Sequence, residues 1–245
     1  MTGDRARRVA ILAPMRPELW PLVRLLSLRE ERTAGGTRWS GALAGVEVVA
    51  AVAGIGTRAA ARTAEQVLDA TRIDHLVVVG VAGGIGPGVA IGDLVVPERV
   101  LDLATGAQYR PARLGPAAAR GTLATSDALI VDRDALARLE RQGVVAIDLE
   151  TAAIAAVCER RHVAWSVFRA ISDRADGGSM DASILGLAGS DGRPDLAALA
   201  RFLATQPWRV PQLVRLARGL RVAANAAAAA AVRALGDASE ARSEP

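Results

Sequence analysis

The sequence contains no lysine, so all 30 of its basic residues are arginine. That excludes a phosphate-binding P-loop lysine, a Schiff-base lysine and a Ser/Lys dyad. A single cysteine, Cys158, excludes an internal disulfide framework and a cysteine-rich zinc or iron–sulfur site. Two histidines, His75 and His162, leave little room for a histidine metal site. Aromatic residues make up only 3% of the chain, so its core must be built from Ala, Val, Leu and Ile. The net charge is +4, and the pI of 10.6 reflects the absence of any titrating base other than arginine; it gives no reason to expect a nucleic-acid partner. Carboxylates, arginine, hydroxyls and backbone amides are left to carry chemistry.

Long hydrophobic runs are also missing. The apolar stretch 9–15 is short for a signal peptide and is interrupted by Arg16 and Glu18. Residues 76–92 are uncharged but carry six glycines and Pro87, which fits a buried strand and a Gly-rich loop better than a membrane span. A soluble, cytoplasmic protein is expected. With 245 residues and 51% hydrophobic composition, the chain is long enough to bury a full core.

Short apolar runs at 9–13, 75–80, 93–96, 144–149 and 163–171 predict strands. Helices are expected after Pro17, from Thr57 to about Ala70, over 127–141 and over 151–161. Residues 39–53 read as two strands joined around Gly45, and 191–194 as a turn. Alternating strand and helix predicts an α/β fold with a mixed, mostly parallel sheet. Helices over 196–203 and 208–235 follow, the second basic and amphipathic, with a frayed end. That second helix invites two readings, an ordinary helix packed on the domain or a peripheral membrane or partner contact.

Four acids stand where ligand chemistry belongs. Glu18 follows the first strand, Asp148 and Glu150 alternate at a strand end, and Asp173 follows Ser172 at the end of another. In open parallel sheets the carboxyl ends of strands line the ligand crevice. The Gly-rich loops do not match the dinucleotide fingerprint. A Ser/His/Asp triad is not expected, because His75 and His162 sit at element boundaries and Cys158 lies on an apolar helix period.

The segments 13–18 (APMRPE), 53–56 (AGIG), 79–84 (VGVAGG), 92–96 (GDLVV), 147–152 (IDLETA) and 169–176 (RAISDRAD) occur in an order that resembles the nucleoside phosphorylase and nucleosidase superfamily. The resemblance is nearest to the methylthioadenosine/S-adenosylhomocysteine nucleosidases, and the tail is similar to hopanoid-associated members. It implies a three-layer αβα sandwich and release of adenine from a 5′-substituted adenosine, with methylthioadenosine, S-adenosylhomocysteine or adenosylhopane as substrates. It implies Asp173 as the acid that protonates N7, Ser172 orienting it, Glu18 activating water, and Arg169 near that water. Glu150 would bind the ribose hydroxyls and Leu149 cover the sugar, Ile130 and Leu129 would meet the base, and Gly54 and Gly83 would allow close approach. Ala53 stands where the family has a serine that helps place the water.

On the same resemblance, residues 1–185 form the nucleosidase-like domain and 186–245 a helical extension packed on it. The family works without cofactor or metal, on a small-molecule nucleoside and as a dimer or larger homo-oligomer. Its phosphorolytic members carry an arginine where this chain has Val78, so hydrolysis is expected over phosphorolysis. The competing reading is a non-catalytic nucleoside-binding or membrane-associated module.

Overall fold

A computed structural model describes residues 7–33, 36–175, 181–187 and 195–240. The turn expected over 191–194 lies outside them. The strands are β1 (Arg8–Ala13), β2 (Arg29–Thr33), β3 (Gly36–Leu43), β4 (Val46–Val52), β5 (His75–Gly84), β6 (Leu94–Val95), β7 (Arg99–Asp102), β8 (Gln108–Tyr109), β9 (Thr122–Thr125), β10 (Val144–Asp148) and β11 (Ala164–Arg174). The helices are α1 (Arg16–Leu25), α2 (Thr57–Ala70), α3 (Arg133–Arg141), α4 (Thr151–Arg160), the short α5 (Ala182–Leu185), α6 (Leu196–Thr205) and α7 (Val210–Glu240).

The sheet is mixed. It runs parallel through β4, β1, β5 and β11 and through β10, β9 and β7, while β10 meets β5 antiparallel and β2–β3–β4 form a meander at one edge. Strands covered on both faces are apolar throughout: β1 (RVAILA) and β5 are almost wholly buried. One layer, α2 and α4, packs over Ala60, Ala64, Val78 and Ile154. The opposite layer, α1 and α7, packs over Ile11, Leu22, Val77 and Phe168.

In α7, Ala223, Ala224, Ala227, Ala228, Ala231 and Ala234 are buried, so the helix lies close against the layer beneath it. Alanine is also the best helix former, which suits a helix of 31 residues. The end expected to fray continues helical to Glu240, and residues 241–245 lie outside the described part. The helix expected from Asp127 starts only at Arg133, because Asp132 caps it by accepting the Asp134 N–H at 3.0 Å. Residues 127–131 stay in a loop beside the ends of β9 and β10. Strand β11 runs three residues past the expected end, through Arg174, and so carries Ser172 and Asp173 within the sheet.

Candidate active site

Glu18 lies in the first turn of α1, behind Pro17, where the helix N-terminus favours an acid. It is 1% exposed, and its Oε2 accepts the Val81 N–H at 2.7 Å. That N–H is available because the pairing of β5 with β1 ends at Val78. Glu150 precedes α4 but does not cap it; its Oε1 instead accepts the Gly56 N–H at 3.0 Å, ahead of α2. Gly56 holds φ at +89°, a left-handed value that suits glycine.

Arg169 stands in mid-β11, in register with Gly80, and is fully buried. Its Nη2 meets Asp148 Oδ2 at 2.7 Å and Glu150 Oε2 at 3.3 Å. Nη2 and Nε also donate to Thr151 Oγ1 at 3.1 and 3.3 Å. Asp148 is held in turn by Thr125 Oγ1 at 2.7 Å and by the Thr151 hydroxyl. Among the described residues Arg169 Nη1 has no hydrogen-bond partner. It faces Glu18 Oε2 at 3.7 Å, a separation that suits a bridging water better than a direct bond.

Three carboxylates around one guanidinium leave excess negative charge in a buried place. Burial pushes the Glu18 carboxyl up to about 8; Glu150 and Asp148 add to the rise, while Arg169 and the Val81 N–H oppose it. Glu150 is also raised, chiefly by burial and then by Asp148, against the pull of Arg169. Burial opposes the charge on Arg169 as well, but Asp148, Glu150 and Glu18 outweigh it and keep it protonated.

Asp173 lies further along β11, opposite Gly83. Burial raises its carboxyl too, and the Ser172 hydroxyl, donating to Oδ1 at 2.6 Å, moderates the rise. Val81, which holds Glu18, and Gly83, which pairs with Asp173, are two residues apart on β5. The two acids are thus anchored at points separated by roughly 7 Å of strand.

Glu18, Glu150 and Asp173 line one cavity of about 290 Å³. Leu149, Ser172, Ile130, Leu129 and Gly83 line it as well. Arg169 sits in the wall behind it. Gly54 and Ala53 fall on a neighbouring hollow between β4 and α2; the Gly54 N–H goes to Pro14 O at 3.1 Å, and it is Gly56 that meets a site carboxylate. His75 is buried against Ser166 at 2.8 Å, Cys158 is buried in the core, and His162 ends a helix in the left-handed conformation, all away from the cavity.

Reading the sequence missed part of this wall. Met15, Ile184, Leu216, Ala217 and Leu220 close the cavity, the last three from α7. Gly219 sits so close to the Ser172 carbonyl that a Cβ there would collide with it. The apolar period of α7 signalled a packed helix, but nothing local showed that it packs over an acid. Among the described residues no cluster of His, Cys, Asp and Glu could hold a metal ion.

The phosphorylase superfamily model matches residues 8–117 and 102–201. The 5′-methylthioadenosine/S-adenosylhomocysteine nucleosidase of Chromohalobacter salexigens is 32% identical over 198 residues, covering 68% of this chain and 84% of that protein. The enzyme of the same name from Haemophilus influenzae is 27% identical over 200 residues, 69% of this chain and 87% of its own. The chain therefore belongs to the phosphorylase superfamily. Its fold is that of the Helicobacter pylori 5′-methylthioadenosine/S-adenosyl homocysteine nucleosidase, with a TM-score of 0.73 at 18% identity over 96% of this chain and 100% of that one. Futalosine hydrolase from the same species aligns with a TM-score of 0.72 at 18% identity, over 95% and 98% of the two chains.

Proposed function

We propose that this protein is a purine nucleosidase that hydrolyses the N-glycosidic bond of a 5′-substituted adenine nucleoside. The observation that carries the reading is the placing of Glu18, Glu150 and Asp173 on one cavity of nucleoside size. The names of the curated relatives agree with it.

Adenine leaves poorly as an anion. Asp173, which burial biases toward its protonated form, delivers its proton to N7, and the C1′–N9 electron pair passes into the protonated ring, which leaves as neutral adenine. Ser172 fixes the carboxyl for that transfer. A water between Glu18 and Arg169 attacks C1′ on the opposite side and loses its proton to the Glu18 carboxylate. This is the two-carboxylate logic of glycoside hydrolysis applied to an N-glycoside. Glu150 accepts hydrogen bonds from the ribose hydroxyls and fixes the register of the sugar. Leu129 and Ile130 flank the base without aromatic stacking. Met15, Leu216, Ala217 and Leu220 leave an apolar surround suited to an uncharged 5′ group, a thioether or a hydrocarbon.

Charge supports water over phosphate. Among the described residues the cavity is lined by Glu18, Asp148, Glu150 and Asp173 and by no arginine, and Arg169 is already shared by three carboxylates. A phosphate dianion would enter against that field. Val78 is buried in the core, Arg58 is exposed, Arg16 is bonded to Glu30 at 3.1 Å, and none of the three lines the cavity. Adenine release from methylthioadenosine, S-adenosylhomocysteine and adenosine, with and without phosphate, tests the reading. The expected result is phosphate-independent release of adenine and free sugar. Obligatory phosphate with a ribose 1-phosphate product, or no turnover of any adenine nucleoside, would refute it.

A further inference from the structure

The outer face of the α1–α7 layer has an unusual charge and apolar make-up. Residues 196–236 contain six arginines and no acidic residue. Arg209, at the start of this stretch, meets Asp181 at 2.5 Å, as Arg160 meets Glu65 at 2.7 Å and Arg38 meets Glu31 at 2.9 Å elsewhere on the surface. Arg215, Arg218 and Arg221 are exposed and have no ion pair among the described residues.

Apolar side chains stand between them. Val214 is 43% exposed and Val222 51%, and at helical spacing they share the outward arc of α7 with Arg218 and Arg221. Trp208, in the turn leading into the helix, is 72% exposed. Beside this arc a groove of about 1,090 Å³ runs between α7 and α1, where Trp20 and Leu25 are also exposed. Trp beside a helix face of Arg and aliphatic residues is the composition of a surface that lies in a membrane interface: the rings sit at headgroup depth and the arginine stems reach past them to phosphate. Among the described residues no helix is long and apolar enough to cross a membrane, so contact would be peripheral.

We propose that the face formed by α1 and the first half of α7 docks on a bilayer surface bearing anionic headgroups. Unpaired positive charge selects the anionic lipid, and the exposed tryptophans supply insertion. Each arginine near such a surface contributes about 1 kcal/mol, so losing two weakens partitioning roughly ten- to thirtyfold.

Co-sedimentation of the full chain with phosphatidylcholine vesicles, with and without phosphatidylglycerol, is the test. Binding to the mixed vesicles only, released by 0.5 M salt, is expected. Arg215→Gln/Arg218→Gln should bind roughly ten- to thirtyfold less. Trp208→Ser should bind less and lose part of the blue shift in tryptophan emission. Both variants should melt as the parent does and turn over a soluble nucleoside at the parental rate, so that a failure of docking stands apart from a failure of the catalytic reading. The proposal is overturned by absent binding, by equal binding to neutral vesicles, or by variants that bind undiminished. It is also overturned by a vesicle-free dimer that shields Trp208 from a soluble quencher, since that would assign the face to a second copy of the chain.

Discussion

At Gly80 the main chain of β5 passes directly beneath the gap between Glu18 and Arg169. A Cβ there would collide with Glu18 Oε2, Arg169 Nη1 and the Pro14 ring. Gly80→Ala is therefore expected to lower kcat more than a hundredfold while leaving nucleoside binding largely intact, as a titration with a non-hydrolysable analogue would show. Asp173→Asn should cost two to four orders of magnitude in kcat, the usual worth of a general acid, with a melting temperature no lower than the parent's. Glu18 must be ionised to take a proton from water. Its raised pKa predicts that kcat/KM climbs with pH up to about 8, and that Glu18→Gln removes that limb along with most of the activity. Glu18, Glu150 and Asp173 could be read from the sequence because each ends a strand or opens the element after one, where ligand crevices form. The ties of Asp148 to Arg169 and Thr125 could not, because they join separate strands more than twenty residues apart in the chain.

Among the elements, α7 shows both how far periodicity reaches and where it stops. Its alanines and leucines predicted a packed helix over 208–235, and a helix is there. Its partner, the strand end carrying Ser172 and Asp173, has no signature within the helix. Gly219→Leu should force α7 off the Ser172 carbonyl, rehydrate Asp173 and lower kcat at least tenfold. It should also reduce the melting temperature by several degrees, since overpacking costs about 1–3 kcal/mol and each kcal/mol shifts a domain of this size by roughly 2–4 °C. Residues 127–131 were misread as helix because their composition tolerates one. The Asp132 cap and the need to present Leu129 and Ile130 to the cavity prevail over propensity. The edge strand β2, sequence REERT, has no apolar alternation, and only its pairing with β3 makes it a strand.

For the molecule as a whole, the buried acids set how stability follows pH. Below about 4.5 Glu18 is protonated in both folded and unfolded chains. Between about 4.5 and about 8 the folded state keeps a proton that the unfolded chain releases, so this contribution to stability fades as pH rises through that window. Glu150 and Asp173 act in the same direction. Thermal melts from pH 5 to 8.5 should fall for the parent, and the decline should be shallower in Glu18→Gln. Parallel slopes would mean that Glu18 ionises freely in the fold.

The packing of α7 over β11 also ties the site to a distant stretch of the chain. Glu18, Asp148, Glu150 and Asp173 lie within the first 175 residues, yet the ceiling over them, Leu216, Ala217 and Leu220, comes from a helix that begins only at Val210. A chain clipped near residue 205 would lose that ceiling, and with it part of the burial that biases the Asp173 carboxyl toward its protonated form.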